Sequence, residues 1–292
     1  MLTAFGIGLS FVAMLSWGFG DFMIQKSTKR LGDWETLFFI TLFGTVILAP
    51  FVWRKIPELF TGSHSHLIIL ICAAFALLIA AILDFEGFKR GKISVLEPIM
   101  SFEILAASFL SFFFLGDKVS FLQIGLIIVL IAGLCLVSFR GKFMAKSFLL
   151  EKGVIVFLLG SILMGATDFF LGWGSRVTDP FVANFVINVI MMTVAGLFLI
   201  FRPKSRTSVR NLKENRALLL VMSIADNTGW IAYAVAMTLV PIAVATGLSE
   251  SSIIIAVLLG LFVNKERLQR HQKYGLGIAL VSVMVLAFVT AG

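Results

Sequence analysis

Charge is scarce in this chain. Asp, Glu, Lys and Arg make up 14% of its 292 residues, against about 25% in soluble domains. That excludes a soluble globular protein and a disordered one, since both need far more solvated surface. Cysteine appears twice, as Cys72 and Cys135, each inside an apolar run. There is accordingly no disulfide framework and no cysteine zinc motif. The three histidines, His64, His66 and His271, fall in or beside loops. A membrane enzyme would need a metal-binding His/Glu set, a Ser–His pair or an acid cluster for a bound diphosphate, and no such constellation is seen. Strand-period alternation is also missing, which argues against a membrane β-barrel.

What remains is apolar. Hydrophobic residues form 59% of the chain, and phenylalanine alone occurs 30 times. A helix crosses a bilayer with about 20 apolar residues. Ten runs qualify: 2–25, 34–53, 67–88, 93–115, 119–139, 153–173, 181–201, 217–239, 243–263 and 274–290. The expected fold is an all-α integral membrane protein of ten transmembrane helices, a multi-pass protein of the cell membrane. The first run is too long for a signal-peptide core and has no basic residue before it, so it reads as a retained span.

The basic residues give an orientation. All 24 lie in loops or at span ends. The loops after spans 1, 3, 5, 7 and 9 carry 20 of them, and those after spans 2, 4, 6 and 8 carry 4. The positive-inside rule then puts the odd loops in the cytoplasm and both termini outside. The net charge of +8 is explained by this topology and by anionic lipid; no nucleic-acid partner is implied.

The chain also repeats itself. Trp17-Gly-Phe-Gly-Asp21-Phe22 matches Met164-Gly-Ala-Thr-Asp168-Phe169, and Arg30-Leu-Gly-Asp33 matches Arg176-Val-Thr-Asp179. Near the end of each half, Asp117 and Gln123 match Glu266 and Gln272 at the same spacing, with Gly125 and Gly275 close behind. The expected domains are a first five-span repeat over 1–139, a basic linker over 140–152 and a second five-span repeat over 153–292. An odd number of spans per half inserts the second copy upside down, a recurrent plan of secondary transporters.

With Leu96-Glu97-Pro98 opening span 4, the turn Phe114-Leu-Gly-Asp117-Lys-Val-Ser120, and then Gln123 and Gly125, the sequence resembles the EamA-like branch of the drug/metabolite transporter superfamily. The second half departs from that pattern. Asn264-Lys265-Glu266-Arg267 replaces the glycine-acid turn, and span 9 has no Glu-Pro step. The outside termini depart from it too, since many relatives are assigned cytoplasmic ones. The resemblance implies a ten-helix carrier for a small solute, with six inner helices, in a superfamily that handles amino acids, drugs, sugars and cations.

Independently of any family, eight acids fall within the spans: Asp21, Asp84, Glu86, Glu97, Glu103, Asp168, Asp226 and Glu250. Each costs about 2.5–3.5 kcal/mol at the centre of a lipid-facing helix. They sit on spans 1, 3, 4, 6, 8 and 9, a set that closes under the repeat. Six helices are therefore expected around a hydrated central cavity, with spans 2, 5, 7 and 10 bracing them. Glu103, Asp226 and Glu250 lie near mid-depth and are the leading substrate- or proton-binding candidates, with Asp21 and Asp168 next. Asp84 and Glu86, close to Lys89 and Arg90, also fit a snorkelling ion pair, and Glu97 sits beside a proline near the loop.

Trp17, Trp230 and Tyr233 lie deep on acid-bearing spans, where aromatic faces beside carboxylates would suit an organic cation; plain helix packing is the rival role. Asn227 and Ser249 complete the candidate lining. Trp34, Trp53 and Trp173 fit interfacial belts. Gly125, Gly133, Gly275 and Ala279 permit close helix contact, which leaves a monomer and a homodimer through the outer helices both open. No cofactor and no resident metal are expected.

Acids without basic partners attract protons, amines and metal cations and repel anions. The reading is a secondary active transporter working by alternating access. It exports small metabolites such as amino acids, amines or drug-like organic cations, with proton coupling. The alternatives are an intramembrane enzyme acting on lipid, and a cation, metal or sugar uptake carrier of the same superfamily.

Overall fold

The computed structural model describes residues 1–90, 99–138, 153–202, 209–262 and 268–292. Glu97 and Pro98, the linker over 140–152 and the Asn264–Arg267 turn lie outside the described residues. Among the described residues the chain is helical and has no strand. In lipid this follows from the backbone, whose amides and carbonyls must be satisfied within the segment itself. The helices are α1 (Leu2–Leu31), α2 (Asp33–Val52), α3 (Ile56–Thr61), α4 (His64–Arg90), α5 (Phe102–Leu110), α6 (Phe121–Ser138) and α7 (Val154–Val177). They continue as α8 (Pro180–Phe201), α9 (Val209–Glu214), α10 (Arg216–Leu239), α11 (Ile242–Ser249), α12 (Ser252–Phe262) and α13 (Arg270–Ala291).

Eight of these helices, α1, α2, α4, α6, α7, α8, α10 and α13, are long and apolar enough to cross a membrane. The two other expected spans are shorter in the described residues. The fourth is seen as α5, which widens into a π turn at Ser111–Leu115 and stops at Gly116, held at φ 65. The ninth is interrupted at Glu250 and Ser251, between α11 and α12.

Packing follows the repeat. The most extensive helix contacts are α4 with α7, α1 with α10, α6 with α13 and α2 with α8. The last two join a helix to its own counterpart, and both run antiparallel. Gln123 at the start of α6 donates from Nε2 to Thr290 at the end of α13 (3.0 Å), and Gln272 at the start of α13 donates to the Val137 carbonyl at the end of α6 (3.1 Å). Each glutamine also closes the capping box of its own helix, leaving fewer orphan amides there. In the other pair, Lys55 after α2 meets Asp179 before α8 at 2.6 Å, and Arg202 after α8 approaches Glu35 at the start of α2 at 3.9 Å. Gly133, Gly275 and Ala279 are used inside the chain: a side chain on Gly133 would strike the backbone of Ala279, and one on Gly275 the backbone of Val137.

The outer faces carry the phenylalanines. Phe5, Phe19, Phe22, Phe51, Phe109, Phe112, Phe113, Phe114, Phe201 and Phe288 are all exposed, as a lipid-facing surface requires. An apolar groove between α5 and α7, lined by Phe102, Leu105, Phe109 and Ile162, opens on that surface.

Candidate transport site

The site is built by a glycine one turn before an aspartate. On α7, Gly165 lets the backbone of α5 approach so closely that a side chain there would strike the Glu103 carbonyl. On α1, Gly18 stands in the same relation to the Ser252 carbonyl of α12. Counting from the matched Asp117/Glu266 and Gln123/Gln272, Glu103 and Ser252 occupy equivalent positions. One repeat motif thus makes the same contact twice. Each time it sets an aspartate, Asp168 or Asp21, beside the half-helix of the other repeat.

Asp168 has no exposed surface and Glu103 is 6% exposed. The two carboxyl groups face each other, and the Tyr233 hydroxyl on α10 faces Asp168 as well. Neither Asp168 oxygen accepts a conventional hydrogen bond from an N–H or O–H donor among the described residues. Two carboxyl groups at such close quarters need a proton or a cation between them. Asp84 reaches this group from α4, seated where a side chain on Gly160 would otherwise stand. Glu250, in the break between α11 and α12, interacts with both Asp168 and Asp21. Asp21 in turn neighbours Asp226, which lies against the Trp230 indole. Glu86 is half-buried further along α4.

Aromatic rings join the two ends of this acid chain. Trp17 meets Trp230 and Tyr233 edge to face, with centroids 5.1 and 5.2 Å away, and Trp230 lies 6.3 Å from Tyr233. Gly229 makes room for Trp17, whose indole nitrogen stands where a side chain at that position would project. Two lining candidates have local partners instead. Asn227 donates to the Ile40 carbonyl (3.1 Å) and accepts from Asn188 (3.3 Å), tying α10 to α2 and α8. Ser249 is fully buried, with its hydroxyl 3.4 Å from the Ser10 carbonyl. Of the belt tryptophans, Trp53 is exposed and Trp34 stacks on Phe198 with centroids 4.0 Å apart. Among the described residues no three His, Cys, Asp or Glu side chains converge closely enough to hold a metal ion.

Exposure grades along the chain of acids. Asp21 is exposed; Asp84, Asp226 and Glu250 are half-buried; Glu103 and Asp168 are buried. On α1, Asp21 continues the stripe of Ser10, Met14 and Trp17, which faces the bundle. Asp21 therefore lies on the bundle-facing side of α1. It is placed toward the end where Arg30 hydrogen-bonds Asn215 and Arg202 approaches Glu35, the end with the basic loops.

The opposite end, sparse in basic residues, is tied together by an ion pair. Arg176 at the end of α7 grips both oxygens of Asp117 with its guanidinium, and its Nε and Nη2 donate to the Met237 (2.8 Å) and Val240 (3.2 Å) carbonyls. Asp117 Oδ2 also accepts from the Ile242 amide at the start of α11 (2.8 Å). The sequence reading uses Asp117 and Arg176 as repeat markers and misses their pairing. The signal available is that Arg176 is the sole basic residue between spans 6 and 7.

The EamA-like transporter family profile matches residues 4–139 and 151–288, one copy per half. The chain belongs to the EamA-like transporter family, a family of multi-pass membrane proteins. A protein of Latilactobacillus sakei subsp. sakei (strain 23K) named as the ribose uptake protein RbsU is 25% identical over 324 residues, covering 99% of both chains. A solved crystal structure superposes with a TM-score of 0.73 at 14% identity, over 97% of this chain and 95% of that one, and so shares the fold.

Proposed function

We propose that this protein is a secondary active carrier that moves a small solute bearing no net negative charge and exchanges protons on its acid pairs. The observation that carries this reading is the Glu103–Asp168 pair, two buried carboxyl groups facing each other with no basic side chain beside them among the described residues. An ion that binds one state of such a pair and leaves in another biases a two-state equilibrium, which is what coupling requires. The ten-span count, the inverted orientation of the second repeat, the central cavity and the outside termini belong to the same proposal. The mirrored end-to-end contacts of α6 with α13 and α2 with α8 support the inversion.

The first solute to test is a pentose. Carboxyl oxygens accept hydroxyl hydrogen bonds, Trp faces cover the apolar side of a sugar ring, and the relative alike over its full length is named for ribose uptake. A second reading, export of amines, amino acids or organic cations against protons, is favoured by the Trp17–Trp230 pair beside Asp226, since charge and π face together recognise ammonium groups. The experiment is uptake and counterflow in proteoliposomes with labelled ribose and a labelled amine, with and without an imposed pH gradient. The proposal expects gradient-driven accumulation of one of them. A sugar phosphate or dicarboxylate as the tightest ligand, or transport indifferent to the gradient, would overturn it.

A further inference from the structure

We infer that Asp117 and Arg176 are the latch closing the transport site at the sparse end, and that a proton on Asp168 holds it shut through Tyr233, Thr246 and the first turn of α11. This rests on the carrier reading above and adds the part that closes the site on one side.

Four elements converge on the ion pair. Arg176 belongs to α7, Asp117 to the turn before α6, the Met237 and Val240 carbonyls to the end of α10, and the Ile242 amide to the start of α11. The side chains of Arg176 and Asp117 are 25% and 10% exposed, so solvent weakens the pair little. The planar fork of arginine matches the carboxylate in a way that a lysine could not. At the other end of the bundle Arg30, the repeat counterpart of Arg176, bonds the neutral Asn215 at an exposed site. The same repeat position is thus engaged with a carboxylate at the closed end and with an amide at the end where Asp21 is exposed.

The link to Asp168 follows from hydrogen-bond direction. Thr246 donates its single hydroxyl proton to the Ile242 carbonyl (2.8 Å). With that proton committed, the Tyr233 hydroxyl, 2.6 Å from Thr246, donates to Thr246 while Asp168 carries a proton, and turns to donate to Asp168 when it does not. The groups facing Asp168 are Tyr233 from α10, Glu103 from α5 and Glu250 from the α11–α12 break, with Asp84 from α4 behind Glu103. None is basic. With a proton, Asp168 donates into this ring of acceptors. Without one, the Tyr233 hydroxyl turns to the Asp168 anion and leaves Thr246 without its donor, which loosens the first turn of α11. The residue that receives the Thr246 bond, Ile242, is the one whose amide holds Asp117. Arg176 and Asp168 are two turns apart on α7, so one rigid helix carries both the arginine of the latch and Asp168.

Ser175 reports on the latch. It is 3% exposed and lies on the same stripe of α7 as Asp168. In a background with Cys72→Ser and Cys135→Ser, Ser175→Cys is labelled with a membrane-impermeant maleimide across pH. The reagent is applied from the side on which Ser63→Cys, an exposed position at the sparse end, reacts, and rates are divided by that reference to remove the pH dependence of the thiol. The ratio is expected to be low in mild acid and to rise with pH. Arg176→Gln is expected to raise it about tenfold at every pH, with Arg176→Lys intermediate and able to carry the test if the glutamine variant does not fold. Tyr233→Phe removes the hydroxyl shared between Asp168 and Thr246 and is expected to flatten the pH response. Labelling of both Arg176 variants at the parent rate, or a full pH response in Tyr233→Phe, would overturn the inference. Labelling needs no solute, so it stands apart from the counterflow assay that tests the carrier itself.

Discussion

Asp21 and Asp168 hold matching places in the two repeats, yet Asp21 is exposed and Asp168 has no exposed surface. Equivalent positions in different surroundings are what a carrier shows when one end is open and the other shut. On the carrier reading proposed above, the opening is at the end with the basic loops. Asp21→Cys should react readily with a soluble thiol reagent from that side, and Asp168→Cys should be protected from both sides. Equal protection of the two would contradict an opening at that end.

Glu103→Gln keeps the shape of the side chain and fixes its neutral form. The variant should fold and still exchange solute down its gradient, but lose accumulation driven by a pH gradient. Combined with Glu250→Gln the loss should be less than additive, because both face Asp168 and share one site. Parent-like dependence on the gradient in both single variants would move the coupling role to Asp21 and Asp168.

Gly229→Ala tests the aromatic wall without touching an acid. The added methyl has to displace the Trp17 indole and so disturbs its contacts with Trp230 and Tyr233. Apparent affinity for the solute should fall while the pH dependence of transport is kept. An unchanged KM would remove Trp17 from the binding wall.

The outer pair gives a stability test. A leucine at Gly133 would overpack the contact with Ala279 at a cost of about 1–3 kcal/mol, read as a lower unfolding temperature in detergent. Gly125→Ala, with open space around it, should leave that temperature unchanged. Equal effects of the two substitutions would show that the α6–α13 contact contributes nothing special.

Orientation can be read from the terminus. A fluorescent protein fused after Gly292 should stay dark, as it does when exported unfolded, because the loops at the other end carry 20 of the 24 basic residues. Fluorescence in the cytoplasm would invert every statement about sides made above, while leaving the internal geometry as described.

The membrane-spanning helices and the two-copy pattern were legible because lipid makes polarity expensive and leaves few places to put it. The spacing of Asp117 and Gln123 was visible as a match to Glu266 and Gln272, but its cause was not: the glutamine closes a capping box and reaches a helix of the other repeat. Two features escaped. Glu103 pairs with Asp168, a contact across repeats decided by Gly165 rather than by depth along the span. Arg176, in the last turn of α7, pairs with Asp117 in a turn far away in the chain, and charge at a span end looks the same whether solvated or engaged. Asn227 shows the converse, a polar residue on an acid-bearing helix whose bonds go to the helices outside.

The pairing of α2 with α8 and of α6 with α13 joins each helix to its own counterpart, head to tail. A contact of that form is isologous, the interface that two identical subunits make across a two-fold axis. Within a single chain it makes the two halves resemble the subunits of an antiparallel dimer. Residues 1–139 and 153–292, made as separate polypeptides, should therefore find one another in the bilayer and reconstitute the carrier, each half supplying one of the two matched aspartates to the whole.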